Sequence, residues 1–251
     1  MISVIIPTCD RPEAFLRAAI ESVLVQTLPP TEVIVVDNGS RDADIAALPE
    51  EITLYRLPPR VGPSRARNFG AAVAKGTHLA FLDDDDWWDA DFLREAWAVL
   101  QKEGTRCVYG RLDRFQNGKV DAYKCPTAEA IRIPTLLRRN PGTGGQNLLI
   151  DKFVFWRIGG FNERLLTSED KTIPIECLLI EERISVAPNA VAIIRDHDGS
   201  RLSGNLLGRL RFLWAYRAHA TPADIIWSVT KLIRQSIKDG WHFRARLFLK
   251  K

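Results

Sequence analysis

The run Phe81-Leu82-Asp83-Asp84-Asp85-Asp86-Trp87-Trp88 constrains this chain more than any other eight residues. Leu79 to Leu82 read as the end of a buried strand, and four carboxylates follow without a break. Carboxylates this close oppose one another's ionisation, so a folded protein keeps them together with a compensating cation. Hard divalent ions such as Mg²⁺ or Mn²⁺ take oxygen ligands and share them with substrate phosphates. The run therefore points to a metal–diphosphate site at the C-terminal end of a strand. The competing reading is a solvated acidic turn capping a helix that starts near Asp89.

The first half of the chain alternates strand and helix. Ser3 to Ile6 is an apolar strand stopped by Pro7, and Asp10-x-x-Glu13 has the form of a capping box opening a helix to about Gln26. That helix carries Phe15, Ala18, Ala19, Ser22 and Val23 on one face. Glu32 to Val36 is a second strand ending in the turn signal Asp37-Asn38-Gly39-Ser40. Ile52 to Leu57 is a third, a helix runs from Pro63 to Lys75, and the strand Thr77 to Leu82 delivers the acids. Continuous apolar strands joined by helices predict an α/β fold with a mostly parallel central sheet flanked by helices. Ligands of such sheets sit beyond the carboxyl ends of the strands, where Thr8, Asp37 and Asp83 to Asp86 all fall.

The second half is less regular. Two strands flank a turn at Asn117-Gly118. The glycine-rich stretch Pro141 to Asn147 lacks the signature of a nucleotide-binding P-loop and reads equally as a connection or as a substrate-contacting loop. Pro174 cannot sit deep inside a helix, so the helix after Asp170 begins around Thr172 or Ile173, leaving Asp170 on a loop just before it.

With this order of motifs the chain resembles the family 2 glycosyltransferases of the GT-A fold. Ser3 to Arg11 is similar to their opening, and Val35-Val36-Asp37-Asn38-Gly39-Ser40 to their second-strand motif. Gly62-Pro63-Ser64-Arg65-Ala66-Arg67-Asn68-Phe69-Gly70 is similar to their G-x-x-x-A-R-N-x-G helix start. Leu82 to Asp86 matches their D-x-D region, and Gly159 to Glu163 followed by Glu169-Asp170 resembles their G-G-F-D-E and E-D pair. The resemblance covers roughly residues 2 to 198 and implies an inverting transferase that uses a nucleotide-diphospho-sugar, with a UDP-sugar favoured, and Mg²⁺ or Mn²⁺. Carried over by position, it implies a donor side made of Pro7, Thr8, Asp10, Arg11, Asp37, Asn38, Arg67, Asp83 and Asp84. Asp85 would hold the metal, with His197 near the diphosphate. Asp170 would be the general base, with Glu169, Gly144 and Gly145 on the acceptor side. The rival reading is a non-catalytic nucleotide-sugar or glycan-binding module that keeps the fold.

Charge divides the chain. From residue 201 onward there are eleven Lys/Arg and two acids, a net of +9, while the preceding 200 residues carry 24 bases and 29 acids. The charge separates a mildly acidic body from a basic helical tail over 201–251. The resemblance implies that the body, 1–200, is the catalytic domain, with its donor half to about 110 and its acceptor half after it. Apolar residues from Ile225 to Ile237 recur at helical spacing, interleaved with Lys231, Arg234 and Lys238. Such a helix suits the interface of an anionic membrane and a glycan or lipid-linked acceptor, with residues 222–251 making the contact. A nucleic-acid partner is not expected, because it would leave the acids at the strand ends unexplained. The four cysteines are scattered without metal-ligand or disulfide spacing. Pro7 and Asp10-Arg11 interrupt the short apolar start, so no signal peptide is expected. No stretch is long enough to span a bilayer. The expected location is cytoplasmic, peripheral on the inner face of the cell membrane.

Overall fold

The computed structural model describes residues 1–40, 48–59, 61–165, 167–196, 206–231 and 233–234. At its centre β1 (Ile2–Thr8) pairs in parallel with β2 (Glu32–Asp37) and β4 (His78–Phe81), and β3 (Ile52–Arg56) extends the parallel set beyond β2. The pleat sends alternate residues to opposite faces. Ile5, Ile34, Val36, Leu79 and Phe81 enter one core, while Val4, Ile6, Val33, Val35, Ala80 and Leu82 enter the other.

The first core is closed by α2 (Pro63–Val73), α5 (Lys152–Arg157) and α6 (Thr172–Leu179), through Ala66, Ala71, Phe155, Ile173 and Ile175. The second is closed by α1 (Glu13–Leu24) and α3 (Phe92–Glu103), through Leu16, Ala19, Ile20, Val23, Phe92, Leu93, Ala96 and Leu100. With both faces covered, the strands can be apolar throughout.

Three local expectations are corrected. Pro7 lies within β1, paired with Val36. Leu82 donates to the Ile5 carbonyl on the β4 side, so the N–H that Pro7 lacks also falls on that side, past the end of the β4 ladder. The Asp10 capping box does not form. Helix α1 starts at Glu13 after Pro12, Asp10 has a positive φ of 48°, and its backbone N–H donates to Ser40 Oγ. The buried face of α1 is centred on Leu16 and Ile20, leaving Phe15 half-buried.

The sheet is mixed rather than mostly parallel. Beyond β4 come β8 (Leu148–Asp151), β6 (Cys107–Gln116), β9 (Ile184–Arg195) and β5 (Trp87–Trp88), with β7 (Lys119–Lys124) attached to β6. Of these pairings only β6 with β9 is parallel. The turn between β6 and β7 falls where expected: Asn117 (φ 53°) and Gly118 (φ 76°) supply the two positive φ angles of a two-residue hairpin. Helix α6 begins at Thr172 as the Pro174 argument requires, but Asp170 lies in a short 3₁₀ turn, Glu169–Lys171, rather than an open loop.

Asn68, next to Arg67 in α2, ties the two halves together. Its Nδ2 donates to the Phe161 carbonyl (2.9 Å) and its Oδ1 accepts the Phe161 N–H (2.9 Å). Gly160 (φ 68°) makes this possible, since a Cβ there would lie 2.7 Å from Asn68 Oδ1. Phe161 in turn packs edge-on against Phe81, the last residue of β4.

The boundary expected at residue 200 falls within 197–205, outside the described residues. Beyond it, α7 (Leu206–Ala215) belongs to the body of the protein: Phe212 and Tyr216 enter the first core, and Tyr216 Oη donates to Glu176 (2.8 Å). The following helical stretch, 222–231, opens with a capping box in which Thr221 and Asp224 exchange bonds. Arg138 of α4 (Ile133–Arg138) anchors it by donating to Asp224 at 2.6 Å. Among the described residues no helix is long and apolar enough to cross a membrane.

Asn68→Ala removes both bonds to Phe161 and leaves that backbone unsatisfied in a buried turn, which should cost about 2–4 kcal/mol of stability. Urea denaturation measures it; a loss below about 1 kcal/mol would show that the Gly159-Gly160-Phe161 turn holds itself.

Candidate active site at the ends of the strands

The compensating cations of the acidic run are arginines. Arg67, buried in the first turns of α2, donates through Nη2 to Asp83 (2.5 Å) and lies 3.5 Å through Nη1 from Glu169. Arg11 donates through Nε to Asp84 (2.8 Å) and lies 3.2 Å from Asp85, while Thr8 Oγ1 gives Asp84 a second bond at 2.7 Å. The Arg195 backbone N–H donates to Asp86 (2.9 Å), and its Nε donates to the Asp85 carbonyl (3.2 Å). The Arg195 guanidinium is held over the rings of Phe15 and Trp87 at 4.5 and 4.6 Å. The run is thus a turn between β4 and β5, fixed carboxylate by carboxylate, and the helix expected near Asp89 is α3, which starts at Phe92 after β5.

Burial sets the protonation of these acids. It pushes Asp84 up to about 6 against the pull of Arg11, and holds Asp86 well above the carboxylate range with help from Asp83 and Asp85. Glu169, desolvated and beside Asp170, rises to about 7 despite Arg67. Asp170 is also raised by burial, opposed by Lys171 and by Arg67. Burial opposes the charge on Arg67 too, but Asp83, Glu169 and Asp170 together outweigh it and hold it protonated.

Asn140 positions Asp170. Its Oδ1 accepts the N–H groups of Gly142 and Thr143 (both 2.8 Å), fixing the glycine-rich loop, while its Nδ2 donates to Asp170 Oδ2 at 2.6 Å. The loop is pinned again where Trp88 Nε1 donates to the Gln146 carbonyl at 2.7 Å. At Gly145 the backbone runs beside the Arg67 guanidinium: a Cβ would meet Nε at 3.4 Å. That Nε–H has no partner among the described residues.

One cavity of about 790 Å³ joins these groups. Pro7, Thr8, Arg11, Asn38, Arg67, Asp83, Asp84, Asp85, Gly144, Gly145, Glu169 and Asp170 all line it. Asp10 and Asp37 do not: Asp37 is buried and its Oδ1 accepts both the N–H and the hydroxyl of Ser40. His197 lies outside the described residues. Arg195, Asn140 and Gln146 belong to the site but were not singled out from sequence. Asn140 carried a signal, since an Asn-Pro pair before glycines marks a side chain that bonds its own loop; Arg195 carried none.

A family model described as Glycosyl transferase family 2 matches residues 3–159. The chain belongs to this family. Among its relatives, the succinoglycan biosynthesis protein ExoO of Rhizobium meliloti (strain 1021) is 30% identical over 198 residues, covering 72% of this chain and 57% of that protein. WfgD of Escherichia coli, named UDP-Glc:alpha-D-GlcNAc-diphosphoundecaprenol beta-1,3-glucosyltransferase, is 30% identical over 156 residues, covering 61% and 60%. The structure of S. aureus TarS 1–349 in complex with UDP-GlcNAc superposes with a TM-score of 0.65 at 21% identity, covering 80% of this chain and 60% of that one. It shares the GT-A fold expected from the sequence. The chain spans just under three fifths of the length of the first curated relatives it matches.

The raised acids give a pH signature. A carboxyl whose folded pKa exceeds its unfolded value binds its proton more tightly in the native state, so its contribution is full below the unfolded value and is lost as pH rises through the folded one. For Glu169 that window runs from about 4.5 to about 7. Stability should fall across it, and Glu169→Gln should flatten the fall by roughly 1–3 kcal/mol. Urea midpoints at pH 5 and pH 8 read the difference; identical pH slopes would place the Glu169 carboxyl in solvent-like surroundings.

Proposed function

We propose that the chain transfers a hexosyl or N-acetylhexosaminyl group, with inversion, from a UDP-sugar to a hydroxyl of a glycan or lipid-linked acceptor. The observation that carries this reading is one cavity in which two acidic groups, Thr8 with Asp83 to Asp85 and Glu169 with Asp170, meet on the two arms of the Arg67 guanidinium. The UDP donor and the lipid-linked acceptor are supported by the names of WfgD and of the TarS complex.

Among the described residues no three carboxylate, histidine or cysteine side chains converge to hold a metal by themselves. Asp85, 19% exposed on the cavity wall, fits a Mg²⁺ or Mn²⁺ that arrives with the donor and takes most of its ligands from the diphosphate and water. When bound, such an ion stabilises the charge on the departing diphosphate. Asp83 is engaged by the buried Arg67 and Asp84 by Arg11 and Thr8, whereas Asp85 meets the more exposed Arg11 arm at 3.2 Å on the cavity wall, which makes it the carboxylate best placed to share such an ion. The unpartnered Arg67 Nε–H, beside Gly145, is a donor suited to a phosphate oxygen.

Asp170 is the base. Burial raises its proton affinity, and the Asn140 amide fixes one oxygen while the other accepts the Lys171 N–H at 3.0 Å. The acceptor oxygen attacks the anomeric carbon and its proton passes to Asp170. The bond from that carbon to the diphosphate oxygen breaks, and the nucleoside diphosphate leaves with the electron pair. Asp170→Asn should bind UDP like the wild type but transfer sugar at least about 10²-fold more slowly. In the same titration Asp85→Asn should lose the metal-dependent part of UDP binding. Unchanged turnover in Asp170→Asn would remove Asp170 from the role, and UDP-sugar binding with no turnover in the wild type would leave a binding module.

The described part of the tail supports a peripheral contact with the inner face of an anionic membrane. Trp214 is 69% exposed and Ile226 66%, with Arg211 on the helix of Trp214 and Arg217 in the short 3₁₀ turn after it. Residues 235–251 of the expected contact lie outside the described residues. Phosphatidylglycerol vesicles should pellet the protein at low salt, and Trp214→Ala with Ile226→Ala should weaken pelleting several-fold. Equal pelleting of the double variant would exclude this face.

A further inference from the structure

The cavity does not end at Asp170. It continues between β7, α7 and the 222–231 helix, where the charge changes sign: Lys124, Lys171, Arg209 and Lys231 line this arm together with Phe212 and Trp227. No ion pair is formed by Lys124, Lys171 or Lys231 among the described residues. Their ammonium groups rest on uncharged partners. Lys124 Nζ donates to the Asn140 carbonyl (3.3 Å), and Lys171 Nζ donates to the Leu136 carbonyl (3.0 Å) and lies 3.9 Å over Phe212. Lys231 Nζ lies 4.9 Å over Trp227.

These cations also face one another. Lys171 is brought down to about 8 by burial, with Lys231 and Arg209 adding to the effect against the pull of Asp170. Lys231 is lowered by burial, then by Arg209 and Lys124. A group of like charges drawn together in a half-covered cleft is stabilised when an anion enters it, and the rings of Phe212 and Trp227 do not supply one. Nor is the arm part of the donor end, where Arg11 and Arg67 already hold carboxylates.

We infer that this arm, formed by Lys124, Lys171, Arg209 and Lys231, binds a phosphate or diphosphate group carried by the acceptor, with Trp227 beside it as an apolar contact for what the phosphate is attached to. The inference rests on the transferase reading above and extends it to the chemical class of the acceptor. Two features favour a phosphate attached to a larger apolar group. Trp227 lines the cavity and is itself 38% exposed, and Ile226, the residue before it, is exposed. An apolar chain leaving the arm would pass directly onto that surface.

The test uses the full chain with UDP and Mg²⁺ at saturation, so that the donor end is occupied. Geranyl diphosphate and inorganic pyrophosphate are then titrated separately. Binding of geranyl diphosphate that survives saturating UDP, and that weakens about tenfold or more in Lys124→Ala/Lys231→Ala but is kept in Lys231→Arg, is the expected result. Tighter binding of geranyl diphosphate than of pyrophosphate would assign the site to an apolar phosphate ester; equal binding would assign it to the diphosphate alone. Loss of all diphosphate binding once UDP saturates, or equal affinity in the double alanine variant, would overturn the inference while leaving the donor site intact. Failure of UDP itself to bind would instead sink the transferase reading. Diphosphate binding without UDP, compared between wild type and the double variant, would still decide whether the basic arm holds an anion.

Discussion

Everything at the strand ends depends on one buried guanidinium. Arg67 holds Asp83 on one side and reaches Glu169 on the other, and so joins the turn after β4 to the turn before α6. A buried ion pair is not by itself a source of stability, because desolvation offsets much of the attraction. Its effect here is positional. Removing Arg67 would leave Asp83, Glu169 and Asp170 as near neighbours without their common counter-charge, and the acids would protonate or move apart. Asn68, one residue on, fixes the Gly160-Phe161 turn and hence the chain leading to Glu169. Successive residues of one helix thus set both acidic walls of the cavity.

This dependence explains how far the sequence could be read. The β1, β2 and β4 strands are buried on both faces and their apolar runs have no competing interpretation, so the first half of the fold was legible, as was the positive-φ pair Asn117-Gly118. The mixed character of the sheet was not. Strands β8 and β6 are short or mixed in polarity, and nothing in an apolar run records whether its neighbour runs with it or against it. Pro7 misled because a proline ends a strand only when its missing N–H faces an occupied ladder, and here β4 has already stopped.

The acidic run shows the same limit on the scale of a site. The need for counter-charge follows from the four carboxylates alone, and a divalent ion is the economical source when only the neighbouring sequence is in view. The arginines paired with these carboxylates come from elsewhere in the chain, Arg11 from the loop after β1 and Arg67 from α2. Arg195, at the end of β9, adds its backbone N–H to Asp86 and its Nε to the Asp85 carbonyl. Only Arg11 and Arg67 sat in motifs that marked them. With Arg67 on Asp83 and Arg11 on Asp84 and Asp85, counter-charge reaches the cluster from side chains outside the run itself.

The tail completes the argument about charge. Read along the chain, its bases look like a separate appendage attached to an acidic body. In the folded molecule Phe212 and Tyr216 are part of the core, and Arg138 clamps the next helix through Asp224, an acid within the basic segment. The excess positive charge is therefore not distributed outward alone. Arg209 and Lys231 are brought to the cavity from the tail side, opposite Lys124 and Lys171 from the body, so the asymmetry in sequence becomes a gradient within one cleft. Negative side chains and their arginines lie at the donor end, and unpaired ammonium groups lie at the far end. On the proposed transferase reading, a substrate pair with phosphate on both partners would meet cations in both regions, with Asp170 lining the same cavity.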